Sequence, residues 1–338
     1  MLDRTRNFVT PRHHTMHVPR TMLAAAIDRF GGPEVITPHA LPIPAVDAGE
    51  VLIAVDTAGV GRWDADVREG FFAGRKPHFP MVLGFEGAGI IAAVGARVRR
   101  LQVGDEVYSY NWQNPKGGFY AEYVAVPADK VAPIPRRLDL RHAGAIPITG
   151  LTALQGIDDA LGLKKGETII IHGASGGVGT LAVQFARLRG ARVFATASSK
   201  EGVELVREMG AHAVVDGKRR VDIDDQARRF APEGVDAMLA LAGGDALEKC
   251  LNVLRRGGRV AYPNGVEPAP KKRRGMSVIP YDGISGVREF DRLNAAVQAA
   301  KLKVPIAECY PLAKAYEAHE RLAEGHVVGK IVLAVHDQ

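Results

Sequence analysis

The sequence is poor in cysteine and has no long apolar run. Its 338 residues include two cysteines, Cys250 and Cys309, which lie far apart and form no metal-ligand pattern. This usage indicates a reducing cytoplasm. No apolar stretch reaches the roughly 20 residues of a membrane-spanning helix, and the basic N-terminal segment lacks the apolar stretch of a secretory signal. We therefore expect a cytoplasmic protein without a membrane partner.

The net charge of +6 arises from two short segments. Residues 1–20 carry +3 and residues 271–274 carry +4, so the rest of the chain carries −1. A short basic run is typical of a solvated loop. Neither segment interleaves aromatic with basic residues, as a binder of single-stranded nucleic acid would. The charge pattern therefore predicts no nucleic-acid partner.

The chain is too long for one ordinary hydrophobic core, so we expect two domains. Residues 1–21 show no periodicity and are predicted to be a mobile extension. Residues 22–148 contain short strands broken by Gly, Pro and Asp, which predicts a mainly β module. Helices and strands alternate over 149–304, and residues 305–338 are expected to fold back onto the first module. The strands expected in the first module are Met22–Ile27, Val51–Thr57, Gly89–Val94, Glu106–Tyr110 and Ala121–Val126.

A glycine-rich turn divides a buried strand from an amphipathic helix near the middle of the chain. The strand is Thr168–Ile171, the turn is Gly173–Gly179, and a second strand follows at Arg192–Thr196. A strand, glycine turn, helix and strand form the unit that binds a dinucleotide pyrophosphate on backbone N–H groups at a helix N-terminus. The predicted cofactor contacts in this turn are Ala174, Ser175, Gly176, Gly177, Val178 and Gly179.

The alternation continues downstream and predicts a parallel, doubly wound sheet with right-handed crossovers. Strands are expected at Ala213–Val215, Val235–Ala240 and Arg259–Tyr262, and helices at Ala246–Arg255 and Leu312–Gly325. Ligands bind where parallel strands end. We therefore expect the segments that follow two of these strands to line the nicotinamide, through Ala242, Gly243, Gly244, Tyr262 and Asn264.

Two other motifs overlap the glycine turn. An ATP-binding loop needs a lysine after its last glycine, and here Thr180 follows Gly179 directly. The letters Gly173-Ala174-Ser175-Gly176-Gly177 also match the G-x-S-x-G elbow of α/β-hydrolases. Ser175 would then need Asp236 with His319 or His326 as partners. The further glycines that open the helix favour a dinucleotide over this hydrolase alternative.

The end of the second strand favours NADPH over NADH. An NAD site usually places Asp or Glu there to bind the ribose 2′-OH, but this chain has Ala197 followed by Ser198, Ser199 and Lys200. Ser198 and Lys200 offer donors and a positive charge, which suit a 2′-phosphate. Both are predicted cofactor contacts.

The combined motifs resemble the medium-chain dehydrogenase/reductase superfamily, and within it the zinc-independent, zeta-crystallin-like quinone oxidoreductases. The resemblance covers the chain from about Met22 to its end. The resemblance implies an α/β protein in which a Rossmann domain is inserted into a partly open, β-barrel-like (GroES-like) substrate domain, with the active site in the cleft between them. It also implies a homodimer or homotetramer, and cofactor contacts from Thr149 and Lys330. The motifs that carry it are Phe30–Glu34, Gly84–Gly89, Val103–Val107, Gly118–Tyr123, the glycine turn and Gly329–Leu333.

The zinc ligands of the related alcohol dehydrogenases are missing from this chain. The positions of the first cysteine and of the histidine hold Gly61 and Phe85, although Glu86 remains. Zinc needs three protein ligands of the Cys, His or carboxylate kind. We therefore expect no metal.

Without a metal, a conjugated acceptor is the natural substrate because conjugation delocalises the charge that arrives with the hydride. Relatives often carry Asn and Tyr between Gly61 and Phe72, but here Gly61 stands at the Asn position, and Asp66 and Phe72 at the Tyr positions. Asp64 is the candidate catalytic residue, with a role as helix N-cap as the alternative. Three aromatic residues are expected to line the substrate site, with core packing as the alternative. They are Trp63, Tyr110 and Trp112.

The sequence therefore predicts an NADPH-dependent, metal-free reductase of quinones or other conjugated carbonyls. The alternative within enzymes is a reductase of enone or alkenal double bonds. The alternative outside enzymes is an NADPH-binding protein with a non-catalytic role.

Overall fold

The strands of the first module form a small antiparallel sheet and a larger sheet that is antiparallel except for the parallel pair β15–β16. The computed structural model describes residues 18–72, 77–217 and 223–336, and the predicted extension at 1–21 lies mostly outside them. The small sheet has the order β2-β1-β4, and the larger sheet has the order β15-β16-β3-β5-β6-β8 with β7 paired to β3. The strands are β1 Thr21–Ile27, β2 Ile36–Pro42, β3 Glu50–Val60, β4 Met81–Val82, β5 Glu86–Val94, β6 Glu106–Tyr110, β7 Tyr123–Pro127, β8 Val131–Pro133, β15 Ile306–Pro311 and β16 Lys330–Ala334.

The second module is a six-stranded parallel sheet with helices packed on it. Its order is β11-β10-β9-β12-β13-β14, in which the first strand, β9, is central. The strands are β9 Thr168–His172, β10 Arg192–Ala197, β11 Ala213–Asp216, β12 Val235–Ala240, β13 Leu254–Pro263 and β14 Ser277–Tyr281. The helices of both modules are α1 Arg62–Arg68, α2 Leu140–Gly144, α3 Pro147–Gln155, α4 Gly177–Leu188, α5 Lys200–Glu208, α6 Ile223–Phe230, α7 Asp245–Leu251, α8 Val287–Ala300 and α9 Ala315–Ala323.

The centre of β9 is apolar because helices cover both faces of the sheet. Ile169, Ile170 and Ile171 are fully buried, and they belong to two different hydrophobic clusters on opposite faces. The predicted fold class is confirmed, since the parallel sheet lies between parts of the first module in sequence. Strands β15 and β16 return to that module's sheet.

Several predicted elements were wrong or missing. The helix expected at Ala246–Arg255 ends at Leu251, and β13 begins at Leu254 and runs through the Gly257-Gly258 pair. Leu254 pairs with Val235 and Arg259 with Ala237 on β12, so the two glycines lie in an irregular, bulged part of β13. The helix expected at Leu312–Gly325 begins with a 3₁₀ turn and becomes α-helical at Ala315. The strands β2, β14 and β15 were missed because their exposed residues weaken the apolar pattern.

The two modules meet along a packed seam. Tyr108 on β6 donates a hydrogen bond to Asn294 Oδ1 on α8 at 2.6 Å, and its ring packs against Phe290 at 4.9 Å between centroids. Within the described residues, no helix is long and apolar enough to span a bilayer.

Candidate active site

The glycine turn leaves an open surface at the N-terminus of α4. At Gly176, which precedes the helix in an extended conformation, an added Cβ would meet no atom within 4 Å. At Gly179 an added Cβ would lie 2.6 Å from Ala174 Cα, so only glycine allows the helix to pack this closely on the turn. The first backbone N–H groups of a helix have no partner within the helix. The turn therefore fits a pyrophosphate bound on Gly176, Gly177 and Val178.

The ends of the neighbouring strands extend this surface into a crevice. An added Cβ at Gly173 would lie 3.3 Å from Ala242 Cβ, which places the segment after β12 beside the turn. Gly243 in turn packs against the backbone of Glu267, in the loop that follows β13. In that loop Asn264 donates from its backbone to Tyr281 and from its side chain to Asp282. The predicted nicotinamide segments therefore lie at the same edge of the sheet.

The end of β10 carries no carboxylate where an NAD site would have one. Ala197 is buried, and Lys200 begins α5 with 78% of its side chain exposed and Glu204 Oε1 4.0 Å from its Nζ. Ser198 Oγ lies 3.2 Å from His326 Nδ1. His326 lies 128 positions after Ser198 in the sequence, and no local pattern predicts that the two are neighbours.

Two residues from outside the parallel sheet contact the glycine turn. Lys330 begins β16 of the first module, and Thr149 lies on α3. An added Cβ at Gly177 would lie 3.1 Å from Thr149 Cγ2 and 3.4 Å from Lys330 Cδ. Gly329 donates its N–H to the carbonyl of Ser175 at 2.8 Å. The two residues suggested by family resemblance are therefore adjacent to the turn.

The ammonium of Lys330 points away from the turn into a pair of buried carboxylates. Its Nζ lies 2.5 Å from Glu86 Oε1, and Glu86 Oε2 accepts from the N–H of Ile148 at 2.7 Å. Asp64 Oδ2 accepts from the N–H of Gly61 at 2.8 Å, whereas Oδ1 has no hydrogen-bond partner among the described residues. Burial raises the pKa of Asp64 to about 7 against the opposing charge of Lys330, and burial also raises the pKa of Glu86. Asp64 thus lies beneath the cleft with 2% exposure, at the third position of α1.

A hydrogen-bonded chain of buried side chains adjoins Asp64. Arg68 Nη1 donates to His319 Nδ1 at 2.9 Å, and His319 Nε2 lies 3.1 Å from the hydroxyl of Tyr120. Since arginine only donates, Nδ1 is the acceptor and Nε2 carries the hydrogen toward Tyr120. Burial, and then the charge of Asp64, raises the pKa of Tyr120. Sequence analysis missed this series of hydrogen bonds because Arg68 and His319 are 251 positions apart.

Aromatic rings form one wall next to these groups. Trp63 lies 5.3 Å from Trp112 and 5.2 Å from Phe72 between ring centroids, and Trp112 stacks on Phe85 at 4.5 Å. An added Cβ at Gly265 would lie 3.4 Å from Trp63, so this wall reaches the loop after β13. Phe72 is exposed. Burial, and then the charge of Glu86, raises the pKa of Tyr110 to about 12, so its hydroxyl stays protonated at neutral pH.

The structure does not assemble the hydrolase triad. Asp236 accepts from the N–H of Thr168 at 2.7 Å, at the start of β9, whereas Ser175 follows the end of that strand. His319 lies between Arg68 and Tyr120, as described above. Asp236 therefore lies at the opposite end of β9 from Ser175.

The two positions that hold zinc ligands in related alcohol dehydrogenases also lie in this region. Phe85 holds an aromatic ring against Trp112, and Gly61 has no side chain. Within residues 18–72, 77–217 and 223–336, no group of three or more His, Cys, Asp or Glu side chains is arranged to hold a metal ion.

Comparisons with known proteins agree with this fold and site. Residues 47–136 match the family described as alcohol dehydrogenase GroES-like domain, and residues 177–277 match the family described as zinc-binding dehydrogenase. A quinone oxidoreductase from Sus scrofa is 35% identical over 93% of this chain and 98% of its own length. The chloroplastic NADPH-dependent alkenal/one oxidoreductase of Arabidopsis thaliana is 29% identical over 94% of this chain and 80% of its own length. A solved structure of an NAD-dependent alcohol dehydrogenase is 31% identical with a TM-score of 0.86, covering 93% of this chain and all of that one.

The parallel sheet, its glycine turn and the GroES-like module define an oxidoreductase that binds a pyridine nucleotide. The chain belongs to the medium-chain dehydrogenase/reductase superfamily, where its relatives include the zeta-crystallin-like quinone oxidoreductases.

Proposed function

We propose that this protein is an NADPH-dependent, metal-free reductase of quinones or other conjugated carbonyls. The observation that carries the proposal is that the glycine turn and the aromatic wall lie at the same site. At the two positions where related alcohol dehydrogenases have zinc ligands, this chain has Gly61 and Phe85. The reduced nicotinamide supplies a hydride when it is bound. The protein's own part is to hold the nicotinamide against a flat acceptor and to exclude water.

The preference for NADPH is assigned to the end of β10. Ser198, Lys200 and the neighbouring His326 surround the place where an NAD site would have a carboxylate. A 2′-phosphate gains charge-assisted hydrogen bonds there, and the N-terminus of α5 favours an anion. The named relatives include both an NADPH-dependent and an NAD-dependent enzyme, so the residues of this chain carry the assignment.

The acceptor is assigned to the wall formed by Trp63, Phe72 and Trp112. Flat rings of this kind stack well on aromatic faces. Asp64 is proposed as the group that holds a proton near this wall, since its carboxyl has a pKa of about 7 and an unpartnered oxygen. Its hydrogen bond from Gly61 shows that it also closes the first turn of α1, so a purely structural role is the competing explanation.

A reductase of enone or alkenal double bonds is the second candidate. The alkenal/one oxidoreductase relative favours it. Such a reaction adds a proton to carbon as well as a hydride, and the tyrosine positions of related enzymes hold Asp66 and Phe72 here. Quinones place the incoming charge on oxygen, which makes them the less demanding acceptors for this site.

The test is to follow the oxidation of NADPH with a series of quinones and a series of enones, and to repeat each with NADH. Turnover of quinones that is faster with NADPH would support both parts of the proposal. Turnover with enones alone would move the function to double-bond reduction, and no turnover with any acceptor would overturn it.

We also propose that the chain functions as a homodimer or homotetramer in the cytoplasm. Strands β11 and β14 are the edges of the six-stranded sheet, and an edge strand can pair with a second copy. Light scattering after size-exclusion chromatography tests the assembly, and a monomer at micromolar concentration would contradict it.

A further inference from the structure

Lys330 belongs to two sites at once. Its neighbour Gly329 is hydrogen-bonded to Ser175 in the glycine turn, and the two segments form a parallel bridge between Gly176 and Gly329. The aliphatic part of the Lys330 side chain lies against Gly177 at the N-terminus of α4. Its ammonium lies 2.5 Å from Glu86 Oε1. One cation therefore connects the place where a pyrophosphate binds with a carboxylate inside the first module.

The carboxylate pair depends on this cation. Asp64 and Glu86 are 2% and 1% exposed, so neither anion is stabilised by bulk water. The charge of Glu86 raises the pKa of Asp64, and Lys330 favours the charged form of both carboxyls. The other polar groups that face the pair include the N–H groups of Gly61, Phe85 and Ile148, together with the hydroxyls of Tyr110 and Tyr120.

We propose that binding of NADPH to the glycine turn is coupled to the uptake of a proton by the buried Asp64–Glu86 pair, because both compete for the ammonium of Lys330. The inference rests on the proposed cofactor. A pyrophosphate beside Gly177 adds negative charge next to the lysine stem and attracts the ammonium. The pair then loses part of its counter-charge, and two buried carboxylates without a cation retain a shared proton.

The neighbouring groups do not compete for this proton. Burial and the charge of Arg68 lower the pKa of His319 to about 3, and Arg68 already donates to its Nδ1. Tyr120 holds its own proton because burial and Asp64 raise its pKa. Tyr110 is also protonated at neutral pH. Asp64 and Glu86 are therefore the acceptors at the junction of the two sites.

The experiment is isothermal titration calorimetry of NADPH binding to the intact protein in two buffers of different ionisation enthalpy, phosphate and Tris, at the same pH. The difference in heat gives the number of protons taken up. A rise of one unit in the pKa of a group that titrates near 7 gives an uptake of roughly half a proton at pH 7.5. NADH is titrated in parallel, because it has no 2′-phosphate that could take up a proton itself.

Two variants assign the proton to the pair. The double variant Asp64→Asn with Glu86→Gln keeps the size of both side chains, and the uptake should fall to near zero. Asp66→Asn is the matched control on the same helix. Its carboxylate pairs with exposed Arg62 instead of Lys330, so the uptake should remain that of the unmodified protein.

The outcomes separate this inference from the proposed function. Heat that differs between the buffers, with NADPH and NADH alike, supports the coupling. Binding with the same heat in both buffers overturns the coupling and leaves the cofactor assignment intact. An uptake that persists in the double variant also overturns it. Failure of both nucleotides to bind overturns the proposed function together with the coupling.

Discussion

Replacing Lys200 with glutamate reverses the charge at the proposed 2′-phosphate site. Lys200 begins α5, and its side chain is 78% exposed, with Glu204 Oε1 at the 4.0 Å limit of an ion pair. The lysine is therefore not committed to a strong internal partner. Its replacement should change ligand binding far more than folding.

The expected loss follows from the change of charge. An exposed ion pair contributes roughly 0.2–1 kcal/mol, and a hydrogen bond to a charged group about 1.5–3 kcal/mol. Removing the cation and adding an anion beside the phosphate should cost at least about 1.4 kcal/mol, which raises the Kd of NADPH at least about tenfold. NADH carries no 2′-phosphate, so its Kd should change little. The effect should shrink as salt is added, because exposed charges are screened.

The assay is the quenching of intrinsic fluorescence by each nucleotide, measured at low and high salt. Lys164→Glu is the matched control, since Lys164 precedes β9 at the opposite end of the sheet and undergoes the same change of charge. Equal losses for NADPH and NADH in the Lys200 variant would refute the assignment. So would a loss of NADPH affinity of similar size in the control.

Three further measurements test other parts of the site. Gly179→Ala should lower the free energy of unfolding by roughly 1–3 kcal/mol, because its Cβ would lie 2.6 Å from Ala174 Cα. Gly176→Ala places its Cβ in open space, so it should weaken nucleotide binding with little change in urea denaturation. Similar stabilities of the two variants would contradict this prediction. Elemental analysis of the purified protein should find no stoichiometric zinc, and one zinc per chain would overturn the assignment as metal-free. His319 is held neutral with a pKa of about 3, so the unfolded chain binds its extra proton first as the pH falls below about 6.5, and stability is lost from there down toward pH 3. Between pH 7 and 5 this loss is at most roughly 2 kcal/mol, and it should be smaller in His319→Gln; an unchanged pH dependence would exclude His319 as its source.

Local patterns in the sequence predicted the strand, turn and helix at the proposed nucleotide site. The turn at Gly173–Gly179 follows an apolar strand and opens a helix, and each of those features is encoded within a few residues. Ala197 and Lys200 were read in the same way from the end of β10. The strands β2, β14 and β15 were not found, because residues on both of their faces are partly exposed and their sequences lack a clear apolar–polar alternation.

Contacts between residues far apart in the sequence could not be predicted from local patterns. Ser198 meets His326 across 128 positions, and Arg68 meets His319 across 251. Such pairs depend on the return of the last residues to the first module's sheet. The family resemblance suggested Lys330 as a cofactor contact, but nothing in the sequence indicated that its ammonium would pair with Glu86.

The absence of the zinc ligands and the position of Lys330 are related, because the lysine ammonium lies close to where a metal ion would be bound. An added Cβ at Gly61 would lie 3.4 Å from Lys330 Nζ and 3.6 Å from Asp64 Oδ2, so the space where a cysteine ligand would stand faces an ammonium. Two unit charges 4 Å apart interact by about 4 kcal/mol at an effective dielectric constant of 20, and a divalent ion would be repelled more strongly. Restoring ligands at Gly61 and Phe85 would therefore not by itself recreate a zinc site. The lysine gives Glu86 the counter-charge that a metal could otherwise provide, and its stem connects that charge to the glycine turn.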